Sequence, residues 1–82
     1  MKAVVYVRLK QEVLDPQGDA VRRALGTMGF EGVQGVRIGK LIELELSAEA
    51  ASAPDLEARL RKMADEMLAN TVIEDYEVRI GG

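Results

Sequence analysis

The sequence has no cysteine, histidine or tryptophan, and its aromatic residues are two tyrosines and one phenylalanine. Disulfides, zinc–thiolate sites, cysteine nucleophiles and every histidine-based triad or metal site are thereby excluded. Any catalysis would fall to Asp, Glu, Lys, Arg, Ser, Thr or Tyr, and no pair of these stands at a spacing suited to it. No apolar run reaches the ~18–20 residues of a membrane span, and the start Met1-Lys2-Ala3-Val4-Val5 lacks a long apolar stretch with a small-residue cleavage site. The expected address is the cytoplasm. Positive charge is not in excess either: 11 Lys and Arg stand against 14 Asp and Glu, so the net charge of −3 gives no footing for a nucleic-acid backbone.

Of the 82 residues, 48% are hydrophobic and 30% charged, a balance that predicts one soluble globular domain over residues 1–82. A chain of this size buries roughly 60–65% of the surface its unfolded form exposes, so partners are an expected source of added stability. The clearest local signal runs from Val13 to Gly29. Asp15 is placed to cap a helix, Pro16 fits its first position, Val21, Leu25 and Met28 fall on one face with Ala20 and Ala24, and Gly29 suits a left-handed closure. Gly18 stands where a capping box would want Glu or Gln. Its lack of bulk invites close approach to the backbone.

Lys2–Lys10 reads as a strand with apolar residues on both faces, suited to the middle of a sheet. After the helix of Asp15–Met28, a second extended run at Val33–Ile38 leads to Gly39-Lys40, which has the form of a two-residue hairpin turn. That turn sets Ile38 opposite Leu41, Val36 opposite Glu43 and Gly35 opposite Leu44. The third strand then runs Leu41–Ser47 with Ile42, Leu44 and Leu46 facing the core. Ser47–Ala53 reads as a loop, and Ser52 with Asp55 as the capping signature of a second helix whose stripe is Leu56, Leu60, Met63, Ala64, Met67 and Leu68, ending at Asn70. Thr71–Ile80 is the last strand, with Val72, Tyr76, Val78 and Ile80 on one face. The order βαββαβ predicts an α+β, ferredoxin-like sandwich: an antiparallel sheet with two helices on one face. Its bare face would present Val4, Tyr6, Val36, Ile38 and Leu41, the candidate self-association surface of at least a dimer.

Several motifs echo chemistry without supplying it. Gly35-Val36-Arg37-Ile38-Gly39-Lys40 is one residue short of a phosphate loop, and Leu41 stands where a Ser or Thr would meet magnesium. Val33-Gln34-Gly35-Val36 echoes the phosphate cradle of acylphosphatases, but follows the first helix instead of preceding it. Glu74 and Asp75, adjacent on a strand, point to opposite faces. Glu43 and Glu45 share a face without a third metal ligand, and are suited to meeting Lys or Arg. Arg22, Arg23, Arg59, Arg61 and Lys62 fit solvated helix faces; Met28, Met63 and Met67 fit the apolar stripes.

Three stretches, Val13-Leu14-Asp15-Pro16-Gln17-Gly18 with Ala20-Val21 and Ala24-Leu25, Val36-Arg37-Ile38-Gly39-Lys40, and Leu68-Ala69-Asn70-Thr71-Val72-Ile73-Glu74-Asp75-Tyr76, closely resemble the PurS family, in the same order and over nearly the whole chain. The resemblance implies a small assembly subunit of phosphoribosylformylglycinamidine (FGAM) synthase in purine biosynthesis. PurL would use ATP and Mg to form the amidine, PurQ would release ammonia from glutamine through a cysteine, and the PurS-like chain would dimerise and bind no cofactor itself. A chain without Cys or His suits that non-catalytic role. The alternative is a free-standing ACT-like regulatory module, which shares the element order and binds a small ligand at a dimer interface. Asp15, Gln17 and Gly18 at the helix start, and Asn70, Glu74, Asp75 and Tyr76 at the entry to the last strand, are the candidate contacts with PurL and PurQ. No catalytic, cofactor-binding or metal-binding residue is assigned.

Overall fold

A computed structural model describes residues 1–81 of the chain. Strand β1 (Lys2–Leu9) is central, flanked by β2 (Gly39–Glu45) and β3 (Glu74–Ile80), both antiparallel to it. Its alternation explains the position. Ala3, Val5 and Val7 are buried on the inner face, while Val4 and Tyr6 are half-covered on the outer one. Val5 pairs with Ile42 and Val78, and Ala3 with Leu44 and Ile80, so the inner face is apolar across all three strands.

Helix α3 (Leu56–Met63) covers that face and continues into a π-helical turn at Ala64–Leu68. The Ala69 N–H donates to the Ala64 carbonyl at 2.9 Å, and the wider turn carries both alanines into the core with Val5 and Val7. Leu56 and Leu60 pack with Ala3 in an adjoining cluster. Each fully buried Val or Leu contributes about 1.5–3 kcal/mol. The α+β, ferredoxin-like class and the inward faces of the strands follow the sequence reading, except that the last strand starts at Glu74 and Val72, expected on its inner face, lies in the preceding turn and is 80% exposed.

Helix α1 (Pro16–Thr27) begins and ends as its sequence dictates. Asp15 Oδ1 accepts the Gly18 N–H at 2.8 Å, with Pro16 in the first turn. At the other end Gly29 adopts φ +94°, its N–H donates to Gly26 O, and the Phe30 N–H reaches Leu25 O, a Schellman closure. Gly18 is approached as expected: a Cβ there would collide with the Val36 carbonyl oxygen.

Three expectations are corrected. Val33–Ile38 is not a strand, and Gly39-Lys40 opens β2 instead of turning a hairpin, so the chain is βαβααβ with three strands, not βαββαβ with four. Gly39 lies so close to β1 that a Cβ would come within 2.5 Å of the Val7 carbonyl oxygen. Helix α1 and the segment after it stand off the sheet, without extensive contact with it or with α3. Finally, Ser47 caps a short helix α2 (Ala48–Ala51), donating nothing but accepting the Ala50 N–H at 3.1 Å, whereas the Ser52 hydroxyl turns back to Glu49 O. Ser52 thus ends α2, and α3 begins after Asp55, which makes no capping hydrogen bond through its side chain, so the expected capping pair of Ser52 and Asp55 does not form.

Two glycines in the same helix are predicted to respond oppositely to alanine. Gly18→Ala should lower stability by about 2 kcal/mol or more, because backbone must move to admit the methyl group. Gly26→Ala, with nothing within 4 Å, should raise it by about 0.5–1 kcal/mol. Urea unfolding midpoints of the two variants check the pair.

Candidate functional site

The two polar segments singled out in the sequence meet at one end of the sheet. From the first segment, Asp15 and Gln17 line a groove of ≈ 300 Å³; from the second, Glu74 closes it, with Arg8, Ile38 and Lys40 between them. Asp15 is the fixed point. It is only 8% exposed, and while Oδ1 caps α1, Oδ2 accepts the Ile38 N–H at 2.7 Å. Its carboxyl is held below the usual carboxylate range by the Gly18 and then the Ile38 amide, with the charge of Arg37 adding to both.

Arg37 makes a second tie between the same pieces of chain. Its Nη2 donates to the carbonyl oxygens of Lys10 at 2.8 Å and Val13 at 3.0 Å. The loop after β1 is thus held by guanidinium at its start and by carboxylate at its end, both reaching the residues just before β2. Lys10 also joins the second segment, since its N–H donates to Ile73 O at 2.9 Å.

Glu74 is likewise a structural clamp. Its Oε1 accepts the Asn70 N–H at 2.7 Å, its Oε2 lies 3.9 Å from Lys40 Nζ, and its side chain is only 15% exposed. Asn70 Oδ1 accepts the Val72 N–H, and Asn70 O accepts from both Ile73 and Glu74, closing a tight turn. Asp75 and Tyr76 do not join the groove. Asp75 lies opposite Arg8 on the outer sheet face; Tyr76 packs against the core, and its hydroxyl donates to Arg61 O at 3.3 Å. Burial, with the Asp65 carboxylate adding, pushes that hydroxyl above its ordinary pKa.

The candidate self-association residues are also divided. Val4, Tyr6 and Leu41 lie on the outer sheet face, but Val36 and Ile38 precede β2 and are not part of the sheet. That face is also less apolar than expected: Lys2 pairs with Glu43 at 2.9 Å, Arg8 and Arg79 meet Glu77, and the Arg79 guanidinium lies 5.4 Å from the Tyr6 ring. Arg37 and Lys40 were missed as site residues. Arg37 belonged to a recognisable motif, but Lys40 was read as a turn.

Of the groove residues, Gln17 is exposed, and among the described residues its side chain makes no hydrogen bond, which suits it to contact with a partner. Among the described residues no group of three acidic side chains is placed to hold a metal ion. The arrangement suits polar docking, with a rigid backbone supplied by Asp15, Arg37 and Glu74.

Acid should loosen this end of the molecule. The unfolded Asp15 titrates near ~3.9 and the folded one lower. Its stabilising effect is therefore complete above that unfolded value and disappears as pH falls through the folded one. Asp15→Asn should melt below the natural chain at pH 7, and the gap should narrow below about pH 4. Thermal melts across pH 2.5–8 measure both effects; Asp19, lowered by Arg22, titrates in the same direction in both proteins.

Residues 2–82 match the family model "PurS: Phosphoribosylformylglycinamidine (FGAM) synthase". The PurS subunit of Bacillus subtilis is 49% identical over 79 residues, covering 96% of this chain and 90% of that protein. The PurS subunit of Synechocystis is 50% identical over 74 residues, covering 88% and 70%. The solved structure of B. subtilis PurS superposes with a TM-score of 0.84 at 48% identity, covering 99% of this chain and 98% of that one. A chain of the PurLQS structure from Thermotoga maritima gives 0.81 at 35% identity, with 95% and 93% covered.

Proposed function

The chain belongs to the PurS family, and from that premise we propose that it joins PurL and PurQ through the groove at the end of its sheet. It is a small, non-catalytic subunit of FGAM synthase, a ligase complex of purine biosynthesis, and PurL and PurQ are its partners. The observation that carries the assignment is agreement in both sequence and fold over nearly the full length of PurS subunits, one of the matching chains lying within a PurLQS structure.

In the proposed division of labour, ATP and Mg are used on PurL, ammonia comes from PurQ, and the complex works in the cytoplasm. This chain contributes surface and not reacting groups. Two independent features support that reading: the chain has no Cys or His, and the polar residues of the groove are mostly engaged in holding backbone. Gln17 and Lys40 are its accessible polar contacts, on a frame fixed by Asp15, Gly18, Asn70 and Glu74. Asp75, on the outer face, extends the same surface, and Tyr76 supports it from the core.

Mixing defines the test. The isolated chain should neither hydrolyse glutamine nor consume ATP, whereas adding it to PurL and PurQ should switch on glutamine-dependent FGAM synthesis. Turnover of either substrate by the chain alone, or full synthesis without it, contradicts the assignment. Gln17→Ala should shift stability by less than about 0.5 kcal/mol while weakening complex formation by about threefold to tenfold. Glu74→Ala should weaken both, since its carboxylate also closes the Asn70 turn; pull-down and thermal melts on both variants separate docking from folding.

A further inference from the structure

The chain carries a net charge of −3, yet positive charge collects at the sheet end beside the docking groove. A second cavity of ≈ 380 Å³ opens there, lined by Arg8, Arg37 and Lys40 together with Tyr6 and Leu41, and no Asp or Glu enters its wall. Arg8 and Lys40 also line the groove that holds Gln17 and Glu74, so the two openings adjoin around Gly39. In the register Gly39 lies opposite Arg8 and Lys40 opposite Val7, and the missing side chain of Gly39 leaves the gap between the two cations open.

The carboxylates of the chain match these three cations poorly. Arg8 Nη2 stands 3.5 Å from Glu77 and Lys40 Nζ 3.9 Å from Glu74, and both cationic side chains are more than half exposed, so each pair is a weak one. Both acids are also shared: Glu77 meets Arg79 at 3.1 Å, and Glu74 accepts the Asn70 N–H at 2.7 Å. Asp75, opposite Arg8 in the register, forms no ion pair with it among the described residues. Arg37 gives its hydrogen bonds to the carbonyl oxygens of Lys10 and Val13, which hold the guanidinium without cancelling its charge. Asp15 feels that charge, but its oxygens are taken by the Gly18 and Ile38 amides and it lies outside the cavity wall.

We propose that this cavity receives an acidic segment of the protein partner, with carboxylates on Arg8 and Lys40 and an apolar residue against Leu41 and Tyr6. The inference rests on the reading of the adjoining groove as the docking surface, and supplies the chemistry of what docks there. Arg37, fixed by two carbonyls, adds a positive field that needs no reordering on binding. A small free anion would leave Arg8 and Lys40 in water, whereas a protein segment excludes water and strengthens each charged contact. Leu41, 56% exposed beside the cations, offers an apolar contact that an inorganic anion cannot use.

Binding of the full chain to PurL and PurQ, measured across a salt series, tests the proposal. The Arg8→Ala/Lys40→Ala double variant should bind about tenfold more weakly at about 50 mM salt, and the gap should close to about twofold at 0.5 M as screening removes the charge contacts. Arg59→Ala/Lys62→Ala removes the same charge from α3 and should bind as the natural chain does. Equal weakening in both double variants overturns the proposal, because it reports net charge and not a site. Normal binding by Arg8→Ala/Lys40→Ala while Gln17→Ala weakens overturns it and leaves the docking groove standing; normal binding by all three variants removes both readings. Titration of the isolated chain with inorganic phosphate completes the set: heat that vanishes in Arg8→Ala/Lys40→Ala, with complex formation unchanged, would make this a small-anion site instead. Affinity of the natural chain that does not fall with salt also contradicts the proposal, and this arm holds even where a variant folds poorly.

Discussion

One buried carboxylate decides how the first half of this chain meets the second. Asp15 accepts from Gly18 and Ile38, residues 20 positions apart, and thereby sets where α1 begins and where the chain enters β2. A capping side chain ordinarily serves its own helix. Here both oxygens are committed, and Gly18 must remain without a side chain because the Val36 carbonyl occupies the space. Arg37 repeats the tie from the opposite direction, so α1 and the segment after it are held where they leave the sheet even though they touch little of the rest of the chain.

Stiffness at that point has consequences for the functional surface. The groove between Gln17, Lys40 and Glu74 is bounded by backbone that these ties hold still, and its second wall is a turn closed by Asn70 and Glu74. Such a surface needs little ordering on binding, which favours a small subunit whose work is to bring larger ones together. Nothing in it resembles a reacting centre, in keeping with a non-catalytic PurS subunit. The family words in the sequence therefore mark positions that hold this end of the fold as much as positions that touch a partner.

What was legible in the sequence was local. The cap at Asp15, the closure at Gly29, the close approach at Gly18 and the inward faces of all three strands follow from periodicity and backbone preference, and each stands in the structure. The site was legible by segment but not by residue. Asp15 and Glu74 are clamps, Tyr76 packs against the core, and Lys40, read as a turn, lies in β2, which starts two residues earlier than expected. The turn at Gly39-Lys40 was misread for a different reason. A Gly followed by a polar residue between two alternating runs has the form of a turn, but here Gly39 is needed for its lack of a Cβ beside the Val7 carbonyl, and the chain runs through it into β2.

Amide hydrogen exchange on the natural chain and on Asp15→Ala tests the central claim, that one buried carboxylate sets both the start of α1 and the entry to β2. Protection at Val5 and Val7 in β1 should be similar in the two proteins, because these residues pack with Ala64 and Ala69 in the core. Protection at the Gly18 and Ile38 amides that Asp15 binds should fall together in the variant. Protection of both amides as strong in the variant as in the natural chain would contradict the account.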